Sequence, residues 1–559
     1  MGMGATDILG RVAASLGQSG PNAPSFQAHH DVPNGGVLFS LPSLLANGLL
    51  HNITEYFQEL KGYYRLDSIF LMLSFCNLSR IKSIESLRYC APGEWGKILG
   101  LDRIPEVKTI RDKIKDVTDH SDSRGWINSL SCEWINAHSQ IEGLFYVDGH
   151  VRVYHGDQTV LPKHYVARQK LCLRATTDYW VNALDGQPFY LVNQEIDPGL
   201  LQVMDNDIVP HLESILSQSP TESVDNRPRF TLVFDREGYS PDFFRRMRSK
   251  NIACLTYHKF PGDHWSLEEF QTYQVQLVSG CQVEMKLAER GSFIGKKIWV
   301  REIRKLTKSG HQTSIITTNY AEDICRIASL MFARWVQENY FKYMRENFNI
   351  DKLFDYTTEE IPETKRIVNP AYREITTVIR KVNSQLTRNL AKYASLELKE
   401  DIKPGSVEKY LHVKSELQEV IDHLQHELRE LKEKKKTIPS HITVSELPEE
   451  LKFKKLGTTR RQLIEAIKMI SYRAETSMVN IIREDMSRGN EARRLLQAVY
   501  QTEADIIPDY ANKQLHIILH NLANRSGSEI IKRLCDELNE TETTFPGTEL
   551  KICYGLLNK

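Results

Sequence analysis

Apolar and polar positions change their period several times along the chain, and each change marks a domain. From Leu38 to about His120 apolar residues recur at helical spacing through SLPSLLANGLLHNITEYFQELKG, LDSIFLMLSFCNLSRIKSIESLRYC and PEVKTIRDKIKDV, with Pro92, Gly93 and Gly96 as breaks. With one more helix between Ser123 and Ile141, they predict a helical N-terminal domain over 36–140. The texture then turns to strands. GLFYVDGHVRVYHG, QKLCLRATTDYWVNALDG and QPFYLVNQEI read as an antiparallel meander, joined in part by the turn signals His155-Gly156 and Asp185-Gly186. A helix, GLLQVMDNDIVPHLESILSQ, is followed by RFTLVFDREGYS, a nearly continuous apolar strand of the kind buried in a sheet centre. SPDFFRRMRSK is a helix with Ser240 as N-cap and Pro241 in its first turn, and NIACLTY is a further strand.

From 260 to 312 the pattern alternates and is rich in turns, which predicts a β-rich insertion. A helix over Leu330 to Arg345, LMFARWVQENYFKYMR, comes next. Ile324, Ala328, Met331 and Trp335 form its apolar face, and Arg334, Glu338, Lys342 and Arg345 a neighbouring polar stripe. An amphipathic helix with a solvated ladder of ion pairs gives the same pattern. The order strand, strand, strand, helix, strand, helix, strand, closed by the helix that carries Glu338, is that of the ribonuclease H-like fold. The predicted core therefore runs over 141–259 and 313–356. Ile375, Ile379, Val382, Leu386, Tyr393 and Leu396, then Val407 to Leu431 beyond the break Pro404-Gly405, approximate heptad stripes and predict a helical hairpin arm over 357–445. The last part, 446–559, mixes a basic helix with strand-like KQLHIILHNL and ELKICYGLL and reads as a small α+β segment. Residues 1–35, rich in Gly, Ser, Ala, Pro and Asn, read as a flexible leader. The expected fold class is thus α/β multidomain: a mixed ribonuclease H-like sheet with a β-rich insertion, between a helical N-terminal domain and C-terminal helical and α+β parts.

Composition narrows the function classes. A chain of 559 residues exceeds one core, and 26% charged against 41% hydrophobic residues is ordinary for globular domains. The 72 basic and 72 acidic residues cancel, so any nucleic-acid surface must be local. One such patch lies between Glu284 and His311, where eight basic residues, among them Lys296, Lys297, Arg301, Arg304 and Lys305, meet three acidic ones. It suits a phosphate backbone, although lysines on a solvated strand edge would look alike. EWGKILGLDRIPEVKTIRDKI, with Arg103, Lys108, Arg111, Lys113 and Lys115, has the form of a helix-turn-helix or of simple helix packing. Nine scattered cysteines contain no Cys-x-x-Cys pair, which argues against a disulfide framework or zinc ribbon. No signal segment or membrane span is legible, so a cytoplasmic protein is expected.

Two aspartates close strand-like runs: Asp148 ends LFYVDG and Asp235 ends LVFDREG. Singly, each has a local explanation, a hairpin turn at Asp148-Gly149 and a helix cap at Asp235. In the predicted topology they converge with Glu338 at one edge of the sheet. Three carboxylates together repel unless cations fill the site, and hard oxygen donors favour Mg2+ or Mn2+, two ions for in-line displacement at phosphorus. The expected catalytic and metal-binding residues are therefore Asp148, Asp235 and Glu338, with Arg236, Arg334, Lys342 and Arg345 placed to neutralise phosphates.

YVDGH at 146–150, FDREGYS at 234–240, IITTN at 315–319 and RWVQENYFK at 334–342 resemble the bacterial insertion-sequence transposases of the DDE type whose catalytic domain carries a β-rich insertion. Those relatives carry the signature Tyr, two residues, Arg, three residues, Glu, six residues, Lys. Arg334 and Glu338 fit it, whereas Met331 stands at the Tyr position and Arg345 at the Lys position. The resemblance implies a metal-dependent endonuclease and strand transferase that excises and reinserts an element with inverted terminal repeats. Its partners would be double-stranded DNA and a second copy of the chain in a synaptic complex. A non-catalytic DNA-binding descendant and a ribonuclease H-like nuclease without joining activity are the alternative readings.

Overall fold

The computed structural model describes residues 5–557 apart from 138–142, 167, 194–198, 217–226, 278–279, 296, 333–334, 353–357, 397–403, 453, 485, 487–490 and 523–524, and, within elements, the side chains of 335–338, 359, 404–406, 451 and 525–526. Two compact units emerge. The larger comprises 1–156, 162–357 and 456–559; the smaller comprises 157–161 and 358–455. The chain is mixed α/β, as the sequence pattern predicts. Among the described residues no helix is long and apolar enough to cross a membrane.

The larger unit begins with a departure from the expected mobile leader. Ile8–Ser15 is a helix capped by Asp7, and Arg11 pairs with Asp102. Strand β1, His29–Val32, pairs antiparallel with Ala504–Asp509 near the other end of the chain. With Gln514–Leu519 and Lys551–Leu556 it completes a four-stranded sheet. The C-terminal α+β segment is therefore no separate appendage. Polar composition conceals this because only Val32, fully buried, marks β1 as a core strand. Gly36 lies so close to the Val499 carbonyl that a Cβ would overlap its oxygen, which explains a glycine there.

The ten-stranded sheet continues the numbering: β2 (Leu144–Val153), β3 (Lys163–Val166), β4 (Leu171–Asn182), β5 (Pro188–Asn193), β6 (Phe230–Phe234), β7 (Ile252–Tyr257), β8 (Gln271–Gln276), β9 (Gln282–Ile294), β10 (Ile298–Leu306) and β11 (Gln312–Thr317). The path is β3-β4-β2-β6-β7-β11-β10-β9-β8, with β5 paired to β4. Neighbours β2, β6 and β7 run parallel, whereas β4 is antiparallel to β2 and to β5. The run containing Asp148-Gly149 stays extended, so it is no hairpin turn. Nor does the β-rich segment stand apart, since β11 pairs antiparallel with β7 and the four strands extend the same sheet. Helix Pro241–Ser249 starts as predicted, with the Ser240 hydroxyl accepting from the Phe243 N–H at 3.3 Å and Pro241 at the first turn.

Helix Thr459–Arg483, which reads as basic, is buried along most of its length. It packs on helices Leu66–Leu78, Val107–Asp119 and Ser123–Ala137 and on β5. Burial is tolerable because its charges are paired: Arg461 with Asp178, Glu465 with Arg152 at 2.9 Å and with Lys468 at 3.1 Å, and Glu475 with Arg80.

In the smaller unit, helices Pro370–Ala394 and Pro404–Thr437 form the predicted hairpin. Val382, Leu386, Ile421, Leu424 and Leu428 make its apolar seam. Arg366–Val368 and His441–Thr443 pair as a short two-stranded sheet at its base.

Candidate active site

Strand register brings the two aspartates together. On the parallel neighbours β2 and β6, Val147 lies opposite Phe234, so the next residues, Asp148 midway along β2 and Asp235 just past the end of β6, sit side by side where the two strands stop pairing. Adjacent strands are about 4.8 Å apart, which sets the scale of that separation. Both share a face with Tyr146 and Val233, two residues upstream. Each carboxylate is oriented by a local backbone donor: Gly149 N–H to Asp148 Oδ1 at 2.9 Å and Glu237 N–H to Asp235 Oδ1 at 2.8 Å. Asp235 is thus also a cap, of a single 3-10 turn. The Thr256 hydroxyl donates to the Asp235 carbonyl at 2.9 Å and ties it to β7.

The same face is roofed by the two helices around residues 333–334. Ile324–Phe332 packs Ile327, Leu330 and Met331 over Tyr146, Val233 and Leu255, and the Tyr146 hydroxyl donates to the Leu330 carbonyl at 2.9 Å. Met331, at the position where the signature has Tyr, is fully buried in this layer. Trp335–Phe348 then crosses beside Asp148. Trp180 lies directly opposite Asp148 on β4. Its ring meets Tyr340 at 5.7 Å and Phe341 at 6.4 Å, and Phe341 stacks on His150 at 5.3 Å. Glu338 stands less than a turn upstream of Phe341 on this helix. Its side chain lies outside the described residues, as do Arg334 and Lys296.

The expected phosphate-facing cations are divided. Arg236 is exposed, its guanidinium 5.5 Å from the centre of the Tyr257 ring. Lys342 is exposed and Arg345 half-buried on the Glu338 helix. On the β-rich strands, Lys297 pairs with Asp242 at 2.8 Å and Arg301 with Glu289 at 2.5 Å, while Lys305 lies 4.9 Å over the Phe332 ring. Arg304 is buried. It pairs with Glu302 at 2.9 Å, donates to the Asp263 carbonyl at 2.7 Å and lies 4.3 Å over Trp265, so it holds the β-rich strands together and meets no phosphate. In the N-terminal helices Lys108 and Lys115 are exposed, whereas Arg111 pairs with Glu85.

Residues not anticipated complete the surroundings. His150, two positions beyond Asp148 on the same face, binds Asp351 at 2.8 Å, and Arg168 binds Asp351 at 2.6 Å. Burial pushes the Asp351 pKa up, but hydrogen bonds from His150 and Arg168 outweigh it and bring it to about 2. Arg152, two further along, is fully buried between Asp178 at 2.6 Å and Glu465. The period of two along VDGHVR made His150 and Arg152 legible as neighbours of Asp148; nothing marked Asp351 or Arg168, which are distant in sequence.

A search of curated proteins finds no match to this chain. A family model described as "Transposase protein" matches residues 2–558, nearly the whole sequence. With the match running through the helical layers, the ten-stranded sheet and the hairpin alike, the chain belongs to this family of transposases.

Proposed function

We propose that this transposase is of the DDE type, with a ribonuclease H-like core in which Asp148, Asp235 and Glu338 hold two Mg2+ or Mn2+ ions. The observation that carries the reading is the Val147–Phe234 register, which sets two carboxylates side by side where two parallel strands stop pairing. Supporting it, β5-β4-β2-β6-β7 follow the order third, second, first, fourth, fifth of the core strands, and the helix bearing Glu338 roofs the same face. The donor set fits hard divalent cations: carboxylate oxygens aimed by backbone N–H groups, one from within β2 and one from the end of β6. When bound, two such ions supply activation of the attacking oxygen and stabilisation of the leaving oxygen at phosphorus.

The chain's own residues position the DNA. Arg236, Lys342 and Arg345 neutralise phosphates beside the acids, and Arg334 is assigned with them from its spacing to Glu338 in the sequence. The first attack uses water and leaves a 3′-hydroxyl; the second uses that hydroxyl on target DNA, with a second copy of the chain in the synaptic complex. Trp180, Tyr340, Phe341 and His150 fix the Glu338 helix against β2 and β4.

The test is cleavage and joining of DNA carrying the element ends in the presence of Mn2+. Asp148→Ala, Asp235→Ala and Glu338→Ala are each expected to lower the rate by at least ~1000-fold, the scale for losing a main electrostatic element of a site. End binding in a mobility shift should remain. Wild-type cleavage rates in any of the three would overturn the assignment of that residue.

A further inference from the structure

A second cluster of potential ligands lies on the four-stranded sheet, built by residues from opposite ends of the chain. Asp31 on β1, Asp505 on the strand beside it and His520 after the next strand each offer one ligand atom, all within 4.8 Å of one another. His520 Nε2 is 3.0 Å from Asp505 Oδ1 and 3.6 Å from Asp31 Oδ1. Ligands at 2.0–2.1 Å from a tetrahedral ion are separated by about 3.3 Å, so these separations bracket the edge of such a polyhedron.

The surroundings also match those of a metal centre. A ligating carboxylate or imidazole is usually oriented by a further partner on its far side. Here His30 Nδ1 reaches Asp505 Oδ2, the oxygen turned away from His520, at 3.0 Å, while the Asp31 N–H donates to Asp505 Oδ1 at 3.0 Å. Among the described residues no lysine or arginine pairs with Asp31, Glu503 or Asp505; the partners are imidazoles. Asp31 adopts φ 52° at an irregularity in β1, which delivers its carboxylate to the cluster.

We propose that Asp31, Asp505 and His520 form a binding site for a borderline divalent ion of the zinc class, separate from the carboxylates of Asp148 and Asp235. One imidazole with two carboxylates, on an accessible surface, leaves a coordination position for water, and the mixed nitrogen and oxygen donors favour Zn2+ over Mg2+. The ion would pin the N-terminal strand to the C-terminal sheet, and its binding energy would add to the stability of the folded state.

The test uses the untagged full-length chain, stripped with EDTA and titrated with Zn2+ in excess Mg2+. One tightly bound Zn2+ per chain is expected, together with a rise in thermal midpoint. Asp31→Asn is the safest variant, because that side chain is 73% exposed and asparagine tolerates positive φ. It should weaken Zn2+ binding at least tenfold, His520→Ala should abolish it, and Asp148→Ala should leave it unchanged. Equal Zn2+ affinity in wild type, Asp31→Asn and His520→Ala would overturn the proposal. So would a folded wild-type chain whose midpoint ignores Zn2+, which would reduce the cluster to histidine–carboxylate ion pairs.

Discussion

Glu302 shows how a single buried charge can hold the β-rich strands to the core. Its side chain is 4% exposed, and it receives Ser314 Oγ at 2.8 Å and Arg304 Nε at 2.9 Å, with His258 Nδ1 3.4 Å away. Burial pushes its pKa up, but hydrogen bonds from His258, Ser314 and Arg304 win and lower it from 4.5 to about 2. A depressed carboxylate contributes stability above its unfolded pKa and loses it as pH falls through the folded value. The difference corresponds to about 3 kcal/mol. Glu302→Gln is therefore expected to be less stable by about this amount at neutral pH, with urea midpoints of variant and wild type converging between pH 4.5 and about 2. Midpoints that stay equally far apart across that window would deny the ionised carboxylate this role. Arg304 itself reads as surface in the sequence, as a basic residue on an alternating strand does, and only Trp265 and the carbonyls of Pro261 and Asp263, remote in sequence, make it core.

At the level of elements, local signals were faithful wherever the partner was near in sequence. The Ser240-Pro241 start, the strand run that Asp235 closes and the seam of the hairpin all follow from spacing alone, whereas β2 runs on through Asp148 to Val153. The seam carries its own test. Ile421, 2% exposed, packs in the Val382, Leu386, Leu424 and Leu428 cluster. Ile421→Ala should destabilise the hairpin by about 2–5 kcal/mol, seen as faster amide exchange across Pro404–Thr437. Unchanged exchange there would mean that the two helices do not rely on this seam. Helix Thr459–Arg483 was not legible in this way, because residues such as Asp178, Arg152 and Arg80 neutralise its charges from hundreds of positions away. Of the candidate site, the position of Asp235 beyond its apolar run is legible in the sequence, whereas the course of β2 past Asp148 and the roofing contacts of Trp180 and His150 are not.

For the whole molecule, the sequence suggested a leader, a helical domain, a core and an appendage in series. The structure folds them into a single apolar cluster that includes Val32 and Phe39 near one end, Leu463 and Ile470 in the buried helix, and Leu515 and Ile552 near the other. Removing residues 504–559 should therefore leave β1 unpaired and uncover helix Thr459–Arg483. The shortened chain is expected to aggregate or to lose cooperative unfolding of the larger unit, measured by circular dichroism melting and proteolysis. A truncated chain that melted as sharply as the full one would show this part to be dispensable.

The bond from the Asp31 backbone to Asp505 spans 474 residues, and it sets a schedule for biosynthesis. During translation β1 leaves the ribosome long before its mate exists, so the nascent polypeptide must carry an open strand edge until several hundred further residues have been added. A product terminated before Ala504–Asp509 would lack that mate, so this unit cannot close until translation has passed that strand.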